Sequence, residues 1–82
     1  MNESSAATEL TVFALQRLTR AVGPAAAPDV AREALASLGL DELRSPSDLL
    51  GFAEQLMARG GVFEAVGRGL KISALLRGAT ES

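Results

Sequence analysis

Along this chain apolar residues recur mainly at three- and four-residue intervals, with polar residues filling the gaps. That is the period of an amphipathic helix, not the period of two that a half-buried strand requires. The best-punctuated segment lies between residues 45 and 61. Ser45 stands where an N-cap belongs, and Pro46 takes the first helical position, where its missing N–H costs nothing. Asp48 follows three residues after the cap, near the positive end of the helix dipole. Leu49, Leu50, Phe52, Ala53, Leu56 and Met57 then share one arc, while Ser47, Asp48, Gly51, Glu54, Gln55 and Arg59 fill the remainder. Gly60-Gly61 closes the segment, because glycine adopts the left-handed conformation after a helix at little cost.

Two further helices precede it. The first runs over 5–22, where Leu10, Phe13, Ala14, Leu18 and Ala21, with Val12, Leu15 and Val22, give a surface so widely apolar that it needs neighbours on more than one side. Gly23-Pro24 ends it. The second begins at Pro28 or Asp29 and runs to Leu38, with Val30, Ala31, Ala34, Leu35 and Leu38 at helical spacing. Gly39-Leu40 then forms a Schellman-type stop that folds Leu40 back on Leu35. The link 41–44 is expected to form one helical turn anchored by Leu43.

The segment 62–76 admits two readings. As a helix it places Val62, Phe63, Ala65, Val66, Leu70, Ile72, Ala74 and Leu76 on one broad side and Glu64, Arg68 and Lys71 on the other, with Glu64 and Arg68 in the favourable i,i+4 order. As a hairpin it makes strands of 62–66 and 70–76 around Gly67-Arg68-Gly69. Each interior glycine costs a helix about 1 kcal/mol relative to alanine. The hairpin would stand alone, and a lone two-stranded ribbon is marginal in water. The expected fold is therefore all-α, a small bundle of about four helices, with three helices plus a C-terminal β-hairpin at 62–76 as the alternative. Gly69 is the glycine expected to permit close helix packing. A single helical domain is expected over 5–78, with disordered ends at 1–4 and 79–82.

Composition supports the helical reading. Of 82 residues 48% are hydrophobic, mostly alanine and leucine, while aromatic residues make up only 4%. Cys, His, Trp and Tyr are all absent, which removes disulfides, thiolate or imidazole metal ligands and the commonest general base together. The adjacent carboxylates Asp41 and Glu42 sit in a linker and read as solvated. The glycines at 60–61 and 67–69 lack the Gly-Lys-Ser/Thr ending of a phosphate loop. No catalytic residue, metal site or cofactor is expected. No apolar run reaches the roughly 20 residues that span a bilayer, the N-terminal residues do not read as a secretory signal, and a cytoplasmic location is expected.

Charge changes the picture more. Net charge is −2, yet six acids (Asp29, Glu33, Asp41, Glu42, Asp48, Glu54) face two arginines (Arg32, Arg44) between residues 29 and 54, whereas four bases (Arg59, Arg68, Lys71, Arg77) face one acid (Glu64) between 59 and 77. Four bases without interleaved exposed aromatics make a weak nucleic-acid footprint, and Ser47-Asp48 at the start of a would-be recognition helix repels phosphate. The run 56–65 resembles the helix-to-strand junction of gas-vesicle shell proteins, which implies a strand after Gly61 and assembly, although the chain ends before their second strand.

By elimination the expected function is a non-catalytic protein–protein interaction module. The form expected is a small adaptor or regulatory subunit of bacterial type, docking on a larger partner through apolar helix faces. The alternative is a self-assembling structural protein, forming homo-oligomers or filaments by setting the acidic middle of one copy on the basic end of the next. A DNA-binding regulator is the lesser alternative, with no nucleic acid expected as partner. The candidate partner-binding residues are Phe13, Arg68, Lys71, Leu75 and Arg77.

Overall fold

The computed structural model describes residues 3–79, with side chains from residue 9 onward. It contains four helices, α1 (Glu3–Val22), α2 (Ala27–Ser37), α3 (Pro46–Arg59) and α4 (Val62–Leu76), and no strand among the described residues. Residues 1–2 and 80–82, on which most of the expected terminal disorder falls, lie outside them. The alternative hairpin does not form at 62–76, nor does the strand implied by the shell-protein resemblance.

The helix ends follow the local chemistry. Ser45 Oγ accepts from the Asp48 N–H at 3.1 Å, and Asp48 Oδ2 accepts from the Arg44 N–H at 3.0 Å, so the two side chains cap α3 reciprocally. At the end of α2 the Leu40 N–H donates to Leu35 O and the Gly39 N–H to Ala36 O, with Gly39 at φ +72°, which is the expected Schellman stop. A second such stop, which was not anticipated, ends α4: Ala79 N–H donates to Ala74 O and Gly78 N–H to Leu75 O. The link 41–45 is not helical. Leu43 is buried as expected, but its N–H donates to Thr11 Oγ1 of α1 at 2.9 Å, and the Arg44 N–H is held by Asp48. With both amides taken by side chains, neither is left to close a helical turn.

Helices α1 and α3 each touch the other three, while α2 and α4 do not meet. Much of the wide apolar surface of α1 is thus covered inside the bundle, while Val12 and Ala21 stay exposed. The core comprises Leu10, Ala14 and Leu18 of α1, Ala27, Val30, Ala34 and Leu35 of α2, Leu43, then Leu49, Leu50, Phe52, Ala53 and Leu56 of α3, and Leu70 and Ala74 of α4. Among the described residues no polar or charged side chain is buried.

The most extensive packing joins α3 to α4, which turn back on each other through Gly60-Gly61, both at positive φ. Their crossing is at Gly67, not at Gly69. A Cβ at position 67 would stand 2.5 Å from the Ala53 carbonyl oxygen and 2.9 Å from the Met57 nitrogen, so only glycine fits the approach. A Cβ at 69 would meet nothing nearer than Arg17 Nη1, at 3.8 Å. This close approach is what fixes 62–76 as a helix. It brings α4 against α3 at Gly67 and buries Leu70 and Ala74 in the core, and the cost of interior glycine is offset by that packing.

Candidate functional site

Helix α4 carries two apolar stripes of identical spacing. Phe63, Gly67, Leu70 and Ala74 face the core, while Ala65, Gly69, Ile72 and Leu76 follow the same i, i+4, i+7, i+11 pattern two residues later, about 160° round the helix. The second stripe faces outward: Ile72 is 56% exposed and Leu76 83%, and Val62 beside it is 48% exposed. The broad apolar side expected for this segment is therefore two sides. Val62, Ala65, Ile72 and Leu76 belong to the outer one.

The five residues singled out from sequence fall into two groups on either flank of this stripe. Arg68, Lys71 and Leu75 occupy one flank at i, i+3 and i+7. Arg68 Nη2 donates to Glu64 Oε2 at 2.7 Å, and Leu75 is 38% exposed. Phe13 and Arg77 occupy the other flank, where α1 meets α4. The Arg77 guanidinium lies over the Phe13 ring, 4.9 Å from its centroid. A third residue, which sequence reasoning missed, joins them: Arg17 lies over the same ring at 5.0 Å and reaches Gly69 in the middle of the outer stripe. Its signal was present in the i,i+4 spacing of Phe13 and Arg17, which puts both on one face of α1.

The basic run 59–77 does not form one face. Arg59 bonds Glu33 of α2 and lies over Phe63 at 5.4 Å, and Arg68 is held by Glu64. The acidic segment is likewise partly neutralised within the chain, Asp29 by Arg32 at 3.1 Å and Glu42 by Arg44 at 3.8 Å. No family model, curated protein or solved structure matches the chain. What it can do is therefore argued from its own surface.

Several concavities lie elsewhere, among them open hollows of about 390 Å³ along α1, lined by Val12, Leu15, Gln16, Thr19 and Arg20, and of about 270 Å³ between α2 and α3. A half-open cleft of about 240 Å³ between α1, α2 and the 41–43 link is lined by Ala14, Leu15, Ala31, Leu35, Leu43 and Phe52, with Arg32 and Asp41 also lining it. It is smaller than the clefts that enclose drug-sized ligands. Its Thr11 hydroxyl is occupied by the Leu43 N–H. No group of three or more Asp and Glu among the described residues is placed to hold a metal ion, and no helix is long and apolar enough to cross a membrane.

Proposed function

We propose that this chain is a non-catalytic protein-interaction module that docks on a larger partner through the outer face of α4. The observation that carries this reading is the exposure of Val62, Ile72, Leu75 and Leu76 on one helix of a domain whose core is otherwise closed. Large aliphatic side chains concentrated on one exposed face mark an association surface more often than a scatter of single ones does. The remaining large hydrophobic residue exposed among those described is Val12, on α1.

That distribution also weighs against head-to-tail self-assembly through the charge asymmetry. The acidic α2–α3 side presents no exposed large apolar residue with which to cover α4. Three of its acids already hold arginines of the same chain.

Light scattering on eluted fractions, across concentration and at about 50 and 500 mM salt, separates the two readings, because exposed charges are screened over about 10 Å at 0.1 M. A monomer under all conditions is expected; salt-sensitive growth beyond a dimer would favour assembly. A photo-crosslinking residue at position 76 should then trap one adduct of defined mass in cells, lost on Ile72→Ser, while the same residue at exposed position 36 should trap none. Equal trapping from both positions would sink the docking reading.

A further inference from the structure

The charges that border the outer stripe of α4 say what kind of partner covers it. Arg32, Arg44, Arg59 and Arg68 each hold a carboxylate of this chain, but Arg17, Arg20 and Arg77 have none among the described residues. Arg20 stands apart on the outer face of α1. Arg17 stands on α1 and Arg77 caps the end of α4, and each lies about 5 Å from the centre of the Phe13 ring. Their guanidinium carbons are therefore no more than about 10 Å apart. The ring's negative face tolerates cations that would otherwise repel, and it orients their donors without neutralising them. Arg17 also lies against Gly69, so this pair, which holds no carboxylate among the described residues, forms an edge of the same stripe that exposes Ile72 and Leu76.

Resting on the docking reading above, we infer that the partner segment is acidic: a peptide whose apolar residues cover Ile72 and Leu76 and whose carboxylate is held by Arg17 and Arg77 over Phe13. Arginine suits this role because its planar fork bonds a carboxylate through two parallel N–H donors.

Two other occupants fit less well. A second copy paired antiparallel about a two-fold axis would fill well sterically, since Ile72 and Leu76 of one copy would face Gly69 and Ala65 of the other. Two-fold symmetry, however, sets each flank against its own copy. Arg17, level with Gly69, would then face Arg17 of the other copy, and Arg68 would face Lys71. An anionic membrane would meet Glu64 on the Arg68 flank and a chain of net charge −2.

The test uses the full chain and two synthetic helical peptides carrying the same leucine stripe, one flanked by Glu and one by Gln. Binding is read from the methyl resonances of Ile72 and Leu76 and the side-chain N–H resonances of Arg17 and Arg77. The Glu peptide should bind about tenfold more tightly than the Gln peptide, and Arg17→Gln with Arg77→Gln should erase that ratio while leaving the Gln peptide's affinity unchanged. Equal binding of both peptides at Ile72 and Leu76 would overturn the acidic partner and leave the docking surface standing. If neither peptide moves those methyl groups, the docking reading falls and this inference with it. Tighter association with phosphatidylcholine vesicles containing phosphatidylserine than with the Glu peptide would also overturn it, in favour of a lipid surface.

Discussion

The two stripes of α4 have the same spacing, the same position for their glycine and similar apolar content, yet one is sealed and the other open. On the inner stripe Gly67 has Ala53 and Met57 backbone atoms where its Cβ would be, and Leu70 and Ala74 are fully buried. On the outer stripe Gly69 has only the tip of one flexible arginine nearby, and Leu76 is more exposed than any other large hydrophobic residue described. Apolarity does not distinguish the stripes; backbone approach does. A glycine that brings two helices into backbone contact commits its face to the core, and the face two residues away is left for something else.

The sealed side is the one whose disruption costs most. Leu56→Ala, in the fully buried arc of α3, should lower the unfolding free energy by about 2–5 kcal/mol in urea titration, since the removed atoms leave a cavity that the helices fill only in part. An unchanged denaturation midpoint would mean that the α3–α4 contact is not the centre of the core. Gly67→Ala tests the same contact by overfilling it. Alanine would gain about 1 kcal/mol in helix propensity, but its methyl group collides with two backbone atoms that cannot rotate away, so α3 and α4 must separate; a net loss of about 1–3 kcal/mol is expected.

The same substitution two residues on should have the opposite sign. Gly69 is helical, without a positive φ, and a methyl group there would touch only the far end of Arg17. Gly69→Ala should therefore raise the melting temperature by about 2–8 °C, the thermal counterpart of 0.5–1 kcal/mol in so small a domain. If both alanine variants moved stability in the same direction, the assignment of inner and outer stripes would be wrong.

This pair also locates where the sequence stops being informative. The helices, the Ser45–Asp48 cap, the Gly39 stop and the buried arc of α3 were legible because each is decided within a few residues by spacing or capping chemistry. The inner and outer stripes of α4 were not, because a shift of two residues turns one face of a helix nearly into its opposite, and here the shift carries Phe63, Gly67, Leu70 and Ala74 onto Ala65, Gly69, Ile72 and Leu76. Gly67 is selected by the approach of the Ala53 carbonyl and the Met57 backbone on the partner helix, and that pairing is a tertiary fact. Likewise the link 41–44 looked helical in isolation, but Thr11, 32 residues away in sequence, takes the Leu43 amide. Of the candidate site, Phe13 and Arg77 were named without the geometry that unites them, and Arg17, which completes the cluster, reads in sequence as ordinary polar relief on α1.

The smallest effect expected is on the open side, and it is the sharpest test of the comparison. Leu76→Ser removes a large apolar side chain, yet because that side chain is 83% exposed the unfolding free energy should change by no more than about 0.5 kcal/mol. A loss several times larger would mean that Leu76 is covered in solution, and the concentration dependence of the melting temperature would then identify the cover. A midpoint that climbs with protein concentration in the parent chain, but not in Leu76→Ser, indicates that copies of the chain shield one another through this face, since association stabilises the folded state by mass action. A midpoint independent of concentration, with stability unchanged by the substitution, leaves the leucine open to water in the isolated domain. The stripe is then a surface that contributes nothing to folding and is available in full to a partner.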